Sequence, residues 1–333
     1  MELFKDPSFN FLRWRWHAIA FSTLLIAAGI GMMVSRGVPL GIDFSGGTIV
    51  VIRFENPVNE ESVRNAIPGD DEVVQTFGEP GGNEILVRLP LVDAGGSDET
   101  LGQAAQNIVA AIQKANVGKF EVRSTEVVGP VVGADLQRRG IYATLSSILV
   151  ITIYIAVRFR VSFAIGSMIA TFHDVLVTLA CLVFFGYELS LNIVAAMLAM
   201  IGYSVNDMIV IFDRVRENSR LTRREGGLEK VINDSINQTL ARTVITSGTI
   251  FLSVLALYLF GGPVLEGFAF TMLAGTVATT YSGWFIAPSI AIMLSKRSRP
   301  GRARAAAAAV TQQQSQPQPQ PKSRSKAKKA RAS

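Results

Sequence analysis

Six apolar runs, at residues 17–35, 141–157, 163–185, 191–211, 244–260 and 268–294, constrain this chain more than any other feature. Each approaches or exceeds the ~18 apolar residues that let a helix cross a hydrocarbon layer. Backbone polar groups in lipid must be satisfied within the segment, so runs of this length are expected as helices. The pattern predicts a polytopic α-helical membrane protein with six transmembrane helices. Positive mean hydropathy and a charged fraction of only 17% argue against two soluble domains of this total length.

Charge divides the chain by side. Residues 36–135 hold seven basic and fifteen acidic side chains, whereas the stretch from Lys296 onward holds eleven basic ones and no acid. Lys and Arg also gather before the first run, in the 158–160 link and in the 212–242 loop. The positive-inside rule then predicts cytoplasmic termini, with 36–135 on the opposite side; Arg138 and Arg139 run locally against it. Lys5, Arg13 and Arg15 ahead of the first run resemble a signal peptide. The run is long for one and no small-x-small cleavage site follows, so a retained first helix is expected. The basic tail lacks interleaved aromatics, which disfavours nucleic acid and favours anionic lipid headgroups. Its Ala/Gln/Pro composition at 296–333 predicts disorder.

Between the first two runs, 36–135 reads as one α+β domain. TIVVIRF, residues 48–54, is a buried-strand pattern, and Asn59 is placed to cap a short helix over 59–67. Strands follow at 72–77 and 84–89 with EPGGN as the turn between them. An amphipathic helix spans 98–115, and a last strand 120–127. The order β-α-β-β-α-β is that of a ferredoxin-like sandwich, a fold that implies no single function. GIDFSGGT, residues 41–48, is glycine-rich but lacks the Walker lysine and precedes a strand, so a nucleotide site is not expected. Gly41, Asp43, Gly46 and Gly47 are read as tight turns beside the membrane. Gly129, Pro130 and Gly133 of VGPVVGADL return the chain to the second span. In the 212–242 loop, Leu228, Val231, Ile232, Ser235, Ile236 and Thr239 share one helical face. That helix either lies along the membrane surface or docks on the bundle.

Ionisable groups inside the runs carry the functional signal, since a carboxylate costs roughly 2.5–3.5 kcal/mol to insert. Asp174, beside His173, lies mid-way along the third span. Asp207, beside Asn206, lies near the end of the fourth. Arg242, at the start of the fifth, is at comparable depth and could meet Asp207, or could be a simple positive-inside anchor. Asn192 and Asn206 fall within about 40° on one helix, predicting a polar stripe. Asp213 reads as an interfacial charge. Two acids on separate spans favour a proton relay over mere packing partners, and His173 has a suitable intrinsic pKa for one. A single cysteine, Cys181, and two histidines give no expected disulfide, metal site or cofactor. No nucleophile–base constellation predicts an enzyme.

GIDFSGGT, VGPVVGADL, GYSVNDMIVIFDRVREN and NQTLARTVITSGT, in this order across residues 10–295, closely resemble the SecF family of the bacterial Sec export machinery. That family lies within the resistance-nodulation-division superfamily. The resemblance implies pairing with SecD in a twelve-span unit, association with the SecYEG translocon, and proton-motive force assisting late translocation and release of exported polypeptides. It places the family's intramembrane Asp on Asp207, its Arg on Arg242 and its His–Asp pair on His173 and Asp174. Two rival readings stand beside it: a proton-coupled exporter half for small molecules or lipids, and a non-transporting scaffold.

Overall fold

The computed structural model describes residues 7–67, 73–77, 81, 83–90, 98–221 and 227–297. The expected disordered tail lies almost wholly outside these residues, as do most of EPGGN and residues 222–226. In chain order a 3-10 turn at Phe11–Arg13 precedes α1 (Arg15–Arg36), α2 (Ile42–Ser45), β1 (Gly47–Phe54), α3 (Glu60–Arg64), β2 (Val73–Phe77) and β3 (Glu84–Pro90). There follow α4 (Asp98–Lys114), β4 (Phe120–Val128), α5 (Pro130–Arg158), α6 (Val161–Phe185), α7 (Leu191–Leu221), α8 (Gly227–Phe260) and α9 (Pro263–Arg297). Six of these, α1 and α5 to α9, are long and apolar enough to cross a membrane.

Between α1 and α5 the strands form one four-stranded sheet in the order β2-β3-β1-β4, with every pairing antiparallel. β1 is central: Val50 faces Val87 of β3 and Thr125 of β4. Val50, Ile52 and Phe54 pack with Ile85, Val87, Ala105, Ile108 and Ile112, so α4 covers one face of the sheet. Asn59 caps α3 as its sequence suggests, its Oδ1 accepting the Glu61 N–H at 3.2 Å. Across the gap the Glu60 carboxylate accepts the Thr76 amide at 2.7 Å and the Thr76 hydroxyl. The hydroxyl bond above all holds this carboxyl below its ordinary range and ties α3 to β2.

Three helices run well past the apolar runs that announced them. α5 starts at Pro130, with Gly129 as N-cap, because proline at the first helical position lacks only an N–H that would be unpaired anyway. α7 has 31 residues and α8 has 34, about 46 and 51 Å at helical rise against a hydrocarbon core of ~30 Å. The polar extensions were invisible to hydropathy but not unsupported. Val231, Ile232 and Ile236 of α8 join Leu12, Phe212, Val215 and Ile286 in one buried cluster. The amphipathic 228–240 stretch is therefore docked on the bundle, as the start of the long α8. Asn233 and Asn237 clamp the N-terminal segment there: their Oδ1 atoms accept the Phe11 and Phe9 amides at 3.0 and 2.9 Å. Arg15 adds an ion pair to Glu229 at 3.0 Å.

α1 packs on α6 where Gly29 meets Ala180. A Cβ on Gly29 would lie 2.3 Å from the Ala180 Cβ, whereas one on Gly31 would meet nothing within 4 Å. Only the first of the two glycines is a contact position. Gly29→Leu is expected to lower the melting temperature of the purified protein, by the roughly 1–3 kcal/mol typical of overpacking. Gly31→Ala should leave it unchanged. Equal melting curves for the two variants would contradict this helix pairing.

Candidate functional site

Asp174 is fully buried on α6, and its two oxygens are held from different directions. Oδ1 meets His173 Nδ1 at 3.0 Å, and Oδ2 accepts the Ser204 hydroxyl of α7 at 2.9 Å. The Ser282 hydroxyl of α9 also faces this carboxyl. The His173 ring stacks on Tyr281 of α9, centroids 6.3 Å apart, and Tyr281 donates to the Ala18 carbonyl of α1 at 2.7 Å. His173 Nε2 is buried with no partner among the described residues. The Nδ1–Oδ1 contact needs one proton between the two groups, so the pair is a shared-proton unit with its second ring nitrogen buried.

Asp207 is 5% exposed on α7. Its Oδ2 accepts the Ser247 hydroxyl of α8 at 3.2 Å and, more loosely, the Tyr203 hydroxyl at 3.4 Å. The single Tyr203 O–H proton is shared with the closer Ser247 hydroxyl at 2.6 Å, closing a three-membered polar cluster between α7 and α8. Ser204 and Asp207 are one turn apart on the same helix, about 4.5 Å along its axis. α7 thus touches Asp174 through Ser204 and presents Asp207 from the next turn. No hydrogen bond joins the two carboxyl groups among the described residues.

Asp207 and Arg242 form no direct ion pair among the described residues, although Arg242 lies near enough for its charge to act on that carboxyl. Arg242 is exposed and is absent from the ion pairs found among the described residues. Comparable depth was a sound inference, but rotation was not considered. Ser247 is the α8 residue facing Asp207, and Arg242 precedes it by five residues, about 140° round the helix. Asn192 and Asn206 do share a face, and both are exposed, so that stripe points away from the buried acids. Asp213 pairs with Arg158 at 3.3 Å at the end of the bundle, in keeping with its reading as an interfacial charge.

At the sheet-proximal end the glycine motif binds three parts of the molecule together. The Gly41 N–H donates to the Leu189 carbonyl at 2.7 Å, and the Leu189 N–H donates to Pro39 at 2.8 Å. Asp43 Oδ2 accepts the Leu191 N–H at 2.8 Å, capping the first turn of α7. Gly47 has φ of +140°, and a Cβ there would lie 2.6 Å from the Leu89 carbonyl of β3; both facts require glycine. Gly133 of α5 lies against α2, where a Cβ would meet the Phe44 carbonyl at 2.9 Å. Arg88 of β3 donates to the Leu40 carbonyl at 2.9 Å and forms an ion pair with Glu188 before α7.

Two family models coincide with these features. The C-terminal model of SecD/SecF protein export membrane proteins matches residues 108–297, and the SecD/SecF GG motif matches residues 31–58. The chain belongs to the SecD/SecF family. It is 40% identical to the protein translocase subunit SecF of Escherichia coli O157:H7 over 292 residues, covering 87% of this chain and 88% of that one. Against SecF of Vibrio alginolyticus identity is also 40%, over 87% of this chain and 90% of the relative. The crystal structure of SecDF, a translocon-associated membrane protein from Thermus thermophilus, superposes with a TM-score of 0.75 at 34% identity over 87% of this chain. A super-membrane-facing form of SecDF gives 0.67 over 90% of this chain. This chain spans about two-fifths of the length of those SecDF chains, 39% and 40%. It is a multi-pass membrane protein of that family, one six-helix unit long.

The GG motif match covers the Gly41–Gly47 turns, and the C-terminal match covers every acid, hydroxyl and histidine of the bundle site. Sequence reasoning named the acids but missed Ser204, Tyr203 and the capping role of Asp43. Tyr203 and Ser204 carried a usable signal, since hydroxyls four and three residues before an intramembrane Asp share its face. Asp43 carried none, because its partner lies 148 residues away. Asp43→Ala should destabilise the first turn of α7 by about 0.5–2 kcal/mol. Amide hydrogen exchange at the start of α7 should accelerate, with Asp43→Asn milder because its side chain still accepts. Unchanged exchange in Asp43→Ala would remove Asp43 as the cap.

Proposed function

We propose that this chain is a SecF-type subunit of the Sec protein-export machinery, and that with SecD it uses the proton-motive force to assist late translocation and release of exported proteins. In this reading it lies in the bacterial inner membrane with cytoplasmic termini and forms a twelve-helix unit with SecD beside SecYEG. The sheet domain is a ferredoxin-like unit on the extracytoplasmic side, a reading its β-α-β-β-α-β order and antiparallel β2-β3-β1-β4 sheet support.

One observation carries the mechanism: α7 bears Ser204 and Asp207 in the acid site, and Asp43 of the glycine motif caps its other end. Ionised Asp207 accepts from Ser247 and Tyr203. Protonation removes the charge that orders the Ser247 and Tyr203 hydroxyls at Oδ2, so their hold on this carboxyl weakens and the α7–α8 contact repacks. Asp174 and His173 relay the proton deeper in the bundle. Arg242 and Asn206 face outwards, where the SecD half would complete the path. The drive is adequate, since a charge crossing 100 mV is worth about 2.3 kcal/mol, enough to bias a finely balanced two-state element. The new packing reaches the sheet domain through the capped end of α7 and the Gly41–Gly47 turns.

Asp207→Asn, in a strain with no other copy, should abolish proton-dependent export while the subunit still assembles with its partner. Tyr203→Phe and Ser247→Ala should reduce export more mildly, roughly ten- to a hundredfold for one buried hydrogen bond to a charged group. Export at the wild-type level in Asp207→Asn would refute the proton-coupling reading. Loss of assembly in place of activity would favour the scaffold reading, and recovery without any second six-span protein would favour the exporter.

A further inference from the structure

At the end of the bundle away from the sheet, a cavity of about 590 Å³ opens between the α5–α6 link, the last turns of α7 and the start of α8. Among the described residues its lining has four arginines and no acid. Arg158 is matched by Asp213 at 3.3 Å. Arg160, Arg216 and Arg220 also line it, and among the described residues none of the three forms an ion pair. Below them Phe159, Phe163 and Phe212 form an aromatic floor, with the Phe163 and Phe212 rings 4.8 Å apart. α6 starts at the same wall, with Arg160 as an N-cap that supplies no side-chain bond and no acid in the first turn. Its amide end adds further positive potential.

From this geometry we propose that the cavity binds the headgroup phosphate of an anionic phospholipid. Three uncompensated guanidinium groups converge on one space, and guanidinium recognises phosphate oxygens in a bidentate fork. The apolar half of the lining selects an amphiphile over a free anion. Val157 and Val161, on either side of the arginine-bearing link, are 85% and 64% exposed. They continue the apolar floor onto the outer face of the helices, where acyl chains would run. Basic pockets between helices at a membrane boundary are suited to such headgroups. The bound lipid bridges the α5–α6 link to the α7–α8 extensions, adding to the Phe159–Phe212 ring contact and the exposed Arg158–Asp213 ion pair already there.

The test uses the full chain, purified and stripped of lipid, then titrated with phosphatidylglycerol, phosphatidylcholine or inorganic phosphate. Lipid retention is followed by native mass spectrometry and stability by thermal unfolding. Phosphatidylglycerol should be retained and raise the melting temperature; phosphatidylcholine and phosphate should do neither. Arg160→Gln with Arg216→Gln should weaken phosphatidylglycerol binding roughly thirtyfold, from ~1 kcal/mol for each basic residue. Arg13→Gln with Lys230→Gln removes equal charge at exposed positions outside the cavity and should have little effect. If the first pair prevents folding, Arg220→Gln on the exposed last turn repeats the comparison. Equal retention of both lipids, an equal loss in the two double variants, or stabilisation by phosphate alone would overturn the proposal. So would unchanged lipid binding in Arg160→Gln with Arg216→Gln accompanied by loss of a co-purifying protein. Neither readout depends on export, so failure here leaves the coupling role of Asp207 untouched.

Discussion

A carboxyl group inside a bundle of apolar helices must be hydrogen-bonded or neutral, because an unpaired buried charge costs far more than folding can spare. Asp174 and Asp207 obey that constraint in different ways. Asp174 is held by side chains from α6, α7 and α9 at full burial, whereas Asp207 rests on two hydroxyl contacts, one of them long. The tighter site is built to keep its geometry and the looser one to change it. In the proposed coupling that difference makes Asp207 the switching acid, with Asp174 and His173 as the supporting pair.

In the same proposal α7 carries this local chemistry to the sheet domain. A continuous helix of 31 residues carries a displacement along its length without absorbing it. Its far end is anchored by Asp43 and lies beside the Arg88–Glu188 ion pair. The glycines matter because they bring backbone against backbone: Gly41 at Leu189, Gly47 at Leu89, Gly133 at Phe44. Side chains at these three positions would hold the sheet and the helices apart. The α7–α8 extensions anchor the opposite end, where Asn233 and Asn237 grip the N-terminal segment.

The sequence made visible what depends on long-period pattern and hid what depends on rotation or distant partners. Six apolar runs predicted six helices, and alternation predicted the four strands. Helix ends were misplaced at α5 and α8 because their protruding turns are polar enough to leave the hydropathy signal. Asp174, His173 and Asp207 stood out through the cost of their insertion. Tyr203 and Ser204 stood out less, since their only signal is their spacing from Asp207 along one helix face. Arg242 shows the limit of depth counting: it lies near enough for its charge to act on Asp207, but the α8 residue in hydrogen-bond contact is Ser247, and only packing reveals it.

The central claim is that the state of Asp207 is transmitted through α7 to the sheet domain. It is tested most directly by measuring spin–spin distances between Arg123→Cys on β4 and Leu252→Cys on α8, both exposed, in a Cys181→Ser background reconstituted in membranes. Asp207→Asn should shift the distance distribution relative to the wild-type acid, and adding Asp43→Ala should abolish that shift. One distribution shared by all three proteins would contradict the account.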